Sequence, residues 1–154
     1  MRRSVVFAIA LGLAIAVDFQ PRSLQADQPV AQIKNASGTG TVTRGPRTLA
    51  VEPGVELYEK DRIQTGTDSS LGITFRDGTQ VSLGENSDFA VEEFAFEPQK
   101  GVLSFIMSLM QGSLVYVSGR IAVLAPETVR IRTVNGTVGV RGTRFAARVP
   151  GSVP

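Results

Sequence analysis

The sequence predicts an all-β domain of short strands, β-solenoid-like or β-roll-like, with an antiparallel β-sandwich as the alternative, behind an N-terminal signal peptide. Three observations lead there. Apolar and polar residues alternate with period two between Leu71 and Val91, the pattern of half-buried strands. Turn clusters such as Arg76-Asp77-Gly78 and Gly84-Glu85-Asn86-Ser87 break that alternation about every 8–10 residues. The chain also holds 16 glycines and 8 prolines, which supply turns along the rest of its length.

The elements follow in chain order. Arg2 and Arg3 precede the apolar run from Val5 to Val17, and a polar stretch follows it. A basic start, a short apolar run and a small residue at the cut describe a secretory signal peptide. The preferred cut lies after Ala26, and a cut after Ala16 is the alternative. The apolar run falls short of the ~20 residues a membrane span needs, so export is expected, with membrane contact only through the signal peptide. Residues 1–26 are thus read as leader, 27–37 as linker, 38–149 as the β domain and 150–154 as a tail.

Within the domain, Val42 and then Leu49 and Val51 flank a Gly45-Pro46 turn, and Val55, Leu57 and Ile63 take inward positions. Leu71, Ile73 and Phe75 point one way, Asp77-Gly78 turns a hairpin, and Val81, Leu83, Phe89 and Val91 point inward again. Residues 101–124 are the most apolar stretch. Val102, Leu103, Phe105, Ile106, Leu109 and Met110 fit a helical face and a buried strand alike; strand is preferred because Ser113–Val117 is plainly β. The densest pattern comes last, Thr133 to Phe145, "TVNGTVGVRGTRF".

Composition narrows the chemistry. The chain has no His and no Cys, which removes the commonest general base, thiolate chemistry and structural zinc sites. Asp61, Asp77, Glu85, Asp88, Glu92 and Glu93 are the carboxylates open to acid–base work, but most sit in turns, where Asp and Asn stabilise the turn itself. "RDGTQ" and "GENSD" lack the ligand spacing of a calcium loop. The Thr133–Phe145 stretch has no lysine for a phosphate loop and no G-x-G-x-x-G spacing. No catalytic residue, no metal ligand and no cofactor is expected.

Charge is uneven along the chain. Residues 1–26 carry three arginines and one aspartate, so without them the formal +2 falls to zero. Residues 27–98 hold 6 basic and 12 acidic side chains (net −6), whereas residues 99–154 hold 7 basic and 1 acidic (net +6). Arg130, Arg132, Arg141, Arg144 and Arg148 form a basic cluster in which Phe145 is the only aromatic. Nucleic-acid binding is not expected without stacking partners. The cluster reads as a solvated strand face or as a docking face for an acidic protein.

Several residues then fall into a familiar order. Asp61, Ile63, Thr65 and Gly66 resemble the "G-D-x-I-x-T-G" opening of the FecR-domain family, with Lys60 in place of the usual Gly. Phe75, Asp77, Gly78, Val81 and Leu83 resemble its "F-x-D-G-S-x-[LVI]-x-L" strand pair, with Thr79 where Ser is common. Thr133, Gly136, Val140, Arg141, Gly142, Thr143 and Phe145 resemble its closing run, with Val134 where Pro is usual. The resemblance covers roughly residues 38–149. It implies a non-enzymatic, β-rich periplasmic module that receives a signal from an envelope or outer-membrane protein partner. In the regulators that give the family its name, a cytoplasmic segment then controls a sigma factor. Only Met1 to Arg3 could lie in the cytoplasm here, so no such segment is expected. In the closing run, Val138, Val140 and Phe145 are expected to fill one end of the core. Arg141 is expected to pair with a carboxylate of the acidic half, so that Arg141→Ala would lower thermal stability.

Overall fold

Period-two alternation becomes strand wherever one face has a core to meet, and here it does so almost throughout. The computed structural model describes residues 28–151; the expected signal peptide lies outside them. The strands are β1 (Ala31–Ser37), β2 (Gly40–Arg44), β3 (Arg47–Ala50), β4 (Glu56–Leu57), β5 (Arg62–Thr65) and β6 (Ser70–Phe75). They continue as β7 (Gln80–Leu83), β8 (Asp88–Glu97), β9 (Val102–Val117), β10 (Val129–Thr133), β11 (Gly136–Gly139) and β12 (Arg144–Val149). One helical turn, α1 (Arg120–Leu124), lies between β9 and β10.

The strands form a single curled sheet, a half-barrel, in the order β3-β2-β5-β8-β9-β7-β6-β1-β4. β10 and β12 both join β9, and β11 is added outside β10. Stacked solenoid coils would pair in parallel. Among the described strands the one parallel pair is β9 with β10, and the others run antiparallel.

β9 is the spine. Its first part, Val102–Gln111, pairs with β8, and its second part pairs with β7 and β12. Gly112 sits at the change of direction with φ +93, and a Cβ there would collide with the backbone of Ser87. Only glycine supplies both the left-handed backbone and the close approach.

The concave side holds the core. Leu71, Ile73, Phe75, Val81, Leu83, Phe89 and Val91, the expected inward residues, are all buried. Aromatic rings cross it from one half of the sheet to the other. Phe75 lies 4.5 Å from Phe105, Phe94 lies 5.2 Å from Phe105, and Tyr116 lies 5.1 Å from Phe145.

Three expectations are corrected. Residues 31–37, read as linker, are β1, which pairs with β4 and β6 inside the sheet. Residues 120–124, read as the end of a strand, form α1, because Asp77 caps them. Leu49 and Val138 occupy inward positions, opposite buried Val42 and Ile131, but are 39% and 54% exposed. Each stands on an outermost strand with nothing beyond to cover it.

The Tyr116 hydroxyl is buried without a hydrogen-bond partner, although the hydroxyls of Thr79 and Ser118 are near. Burial pushes its phenol above the ordinary value. An orphaned hydroxyl contributes nothing to offset its desolvation, so Tyr116→Phe is expected to leave stability unchanged or to raise it by up to about 1 kcal/mol. A raised folded-state value means the fold favours neutral tyrosine. That stability is present below about pH 10 and is lost as pH rises through the folded value. Thermal melts should therefore show the variant's advantage widening above pH 10.

Candidate functional site

The family-like residues of the first half are buried and mutually bonded. Asp61, with 0% of its surface exposed, accepts from Arg44 Nε at 2.8 Å, Arg44 Nη2 at 2.7 Å and the Tyr58 N–H at 2.9 Å. This bond pushes the Arg44 guanidinium above its ordinary value. Thr65 donates its hydroxyl to the Gly84 carbonyl and accepts from the Ser87 N–H, tying β5 to the β7–β8 turn. Gly66 packs where any Cβ would strike Thr39. Phe75 is core, and Gly78 makes its turn with φ +87.

Lys60, standing where the family pattern has glycine, adopts φ 68. A left-handed non-glycine residue carries roughly 1–2 kcal/mol of strain. Lys60→Gly is expected to raise stability by about 1 kcal/mol net of the entropy glycine loses on folding, read from a urea midpoint at constant slope.

Asp77 is the second buried carboxylate. It accepts from the Thr79 N–H (3.0 Å), the Thr79 hydroxyl (2.8 Å) and the Ile121 N–H (3.2 Å), and its carbonyl accepts from the Arg120 N–H (2.9 Å). Thr79 Oγ1 in turn accepts from the Gly119 N–H. The same short segment reaches the closing run. The Ser118 N–H donates to the Thr143 carbonyl at 2.9 Å, and its hydroxyl donates to the Gly142 carbonyl. Residues 118–121 thus bond both halves of the signature, which lie far apart in sequence.

In the closing run, Val140 is buried and Phe145 packs against the core with its ring tilted toward Tyr116. Gly136, with φ +147, turns the β10–β11 hairpin, and Gly142, Thr143 and Arg141 are exposed. The expected pairing of Arg141 is not made: among the described residues it has no ion-pair partner. Three acids of that half pair with other arginines instead, Asp61 with Arg44, Asp88 with Arg62 and Glu92 with Arg132.

The basic cluster divides. Arg132 pairs with Glu92 at 2.7 Å, while Arg130, Arg144 and Arg148 are exposed without an ion pair among the described residues. Arg130 and Arg132 project from the outer face of β10, and Arg144 and Arg148 from the outer face of β12, each next to inward residues such as Ile131 and Val149. These residues place fixed positive charge on the outer faces of β10 and β12, whereas Asp61 and Asp77 are buried in structural bonds and Asp88 and Glu92 pair with arginines. Among the described residues no group of three His, Cys, Asp or Glu side chains converges on one point, and no helix is long and apolar enough to cross a membrane.

A family model described as "FecR protein" matches residues 61–153. The chain belongs to the FecR family. FecR proteins are signal-sensing and regulatory. No curated protein and no solved structure matches the chain. The FecR match begins at Asp61 and so spans both halves of the signature that residues 118–121 join. Sequence reasoning missed Arg44, Ser118 and Gly119, whose roles lie in bonds to residues distant in sequence. The one local signal was the positive charge of Arg44 beside the Gly45-Pro46 turn.

Proposed function

We propose that this chain is an exported, non-enzymatic FecR-type module that docks a protein partner in the bacterial periplasm and senses its state. The carrying observation is the contrast between its charges: the candidate acid–base residues Asp61 and Asp77 are buried in bonds, whereas Arg130, Arg141, Arg144 and Arg148 are exposed with no ion pair among the described residues. Unpaired like charges on one surface raise the encounter rate with an acidic partner and select against basic ones. The curled sheet is taken as the β-roll form of the architecture, a rigid support for that surface. The leader at 1–26 is taken as a cleaved signal peptide.

Capture from periplasmic extract with residues 27–154 tests this reading. A stoichiometric partner, released by salt as screened charge requires, is the expected result. Arg141→Ala should weaken capture while holding stability within about 0.5 kcal/mol, because the residue is exposed and makes no ion pair among the described residues. Recovery of no partner would leave a purely structural envelope component as the better description.

A further inference from the structure

β11 is an outermost strand whose features fit a ligand of a particular shape. All four of its residues, Gly136 to Gly139, are exposed, and it pairs with β10 alone. The Val140 N–H bonds the Val129 carbonyl, facing β10. Backbone groups alternate sides along a strand, so the N–H and C=O of Thr137 and Gly139 face away from β10, toward solvent. β11 carries no charge, proline or bulge, the usual devices that keep an edge from pairing.

Gly139 is the telling residue. Its φ is ordinary, and a Cβ built on it meets nothing within 4 Å. Every other described glycine has either a left-handed backbone or a neighbour that a Cβ would press on. Neither the conformation nor the packing of this chain accounts for a glycine at 139. It lies directly opposite Arg130 in the ladder. Bare backbone at 139 lets the Arg130 side chain reach across β11 to whatever lies beyond it. On the inner face, Val138 sits beside buried Ile131 with 54% of its own surface uncovered.

We propose that β11 receives an extended acidic segment of a partner protein as an added strand. Backbone bonds form to Thr137 and Gly139, a carboxylate on the outer face meets Arg130, and an apolar side chain on the inner face covers Val138. Strand addition joins main-chain bonding with alternate side-chain recognition in this way. Arg141, in the connection leaving β11, adds to the same positive field, and Glu127 is the sole acid of residues 99–154 to oppose it. Self-pairing of two β11 edges would set these arginines against each other, so charge favours an acidic partner over a second copy. The opposite edge, β3, is of mixed sign, with Arg47 in the strand and Glu52 just beyond it. The proposal names the partner's chemistry at the docking surface inferred above and rests on that reading.

The test uses the purified full chain and two synthetic peptides about eight residues long, one alternating glutamate with valine and the other lysine with valine. Calorimetry or amide chemical shifts should report saturable binding of the acidic peptide, at least roughly tenfold weaker for the lysine peptide, with shifts centred on Thr137 and Gly139. Thr137→Pro removes one outward N–H that β10 does not use, and should weaken binding roughly tenfold with the fold retained. Gly139→Ile keeps every backbone group but obstructs the path of Arg130, and should weaken binding of the glutamate peptide alone. Equal binding of the two peptides, absence of binding, or binding untouched by both variants overturns the proposal. So does a dimer that Thr137→Pro dissociates, which would make a second copy the occupant. Capture of a periplasmic partner that survives Thr137→Pro would sink the strand-addition inference and leave the docking reading standing. Peptide binding with no captured partner would do the reverse.

Discussion

Asp77→Ala is expected to destabilise the protein by about 3 kcal/mol, measured as a shift of the urea midpoint at unchanged slope. The carboxylate is 2% exposed and accepts three hydrogen bonds, from the Thr79 N–H, the Thr79 hydroxyl and the Ile121 N–H. Hydrogen bonds to a charged group contribute about 1.5–3 kcal/mol each, and a buried donor left without an acceptor loses its desolvation energy as well. The Thr79 hydroxyl can rotate to a new partner, which keeps the total below the simple sum. Asp77→Asn should cost about 2 kcal/mol, because one amide oxygen still accepts while the amide nitrogen faces donors. The turn at Gly78 and the start of α1 should loosen together, visible as faster amide exchange at Thr79 and Ile121. A cost below 1 kcal/mol for Asp77→Ala would mean that the signature aspartate merely shapes a surface turn.

Gly112→Ala is expected to cost about 3 kcal/mol or more, the second large effect. Two terms add. A non-glycine residue at φ +93 pays the left-handed penalty of roughly 1–2 kcal/mol. Its Cβ then meets the Cα and Oγ of Ser87, and overpacking adds roughly 1–3 kcal/mol. Ser87 has little freedom to retreat: its hydroxyl donates to the Gly84 carbonyl and accepts from the Ser113 N–H, and its N–H bonds Thr65. Ser87→Gly in the same chain should recover part of the loss by clearing the side-chain clash. A Gly112→Ala variant that melts with the parent would show that β9 can bend elsewhere.

What the sequence revealed depended on whether the cause was local. The strands from β6 to β8 were legible because residues alternate within each of them between Leu71 and Val91, and the core residues they predicted are buried. β1 was hidden because its ladder slips between Ile33 and Asn35, which breaks the period, and because Ala31 is a weak apolar signal. α1 was hidden because its apolar residues suit a strand equally well, and its cap lies on Asp77, 44 residues away in sequence. Val138 has the residue type of a core position, yet alternation cannot distinguish an outermost strand from an inner one. Arg141 was assigned a partner on charge totals alone, and charge totals do not say which side chains meet. The bonds that tie Asp77 and Thr79 to Gly142 and Thr143 run through residues 118–121, outside any local pattern.

The strand order also sets a timetable. β4, β1, β6 and β7 make one ladder, and β3, β2, β5 and β8 make another, their members interleaved along the chain. In strand pairing the two ladders are joined through β9, so β8 gains its partner only with residues 102–111 and β7 only with residues 114–117. Connections this distant in sequence slow folding, since loop closure must precede the contacts that reward it. During synthesis residues 31–97 therefore remain a pair of unfinished ladders. Under the export proposed above, that delay would keep the chain extended during passage through a membrane and let it close on the far side once β9 arrives.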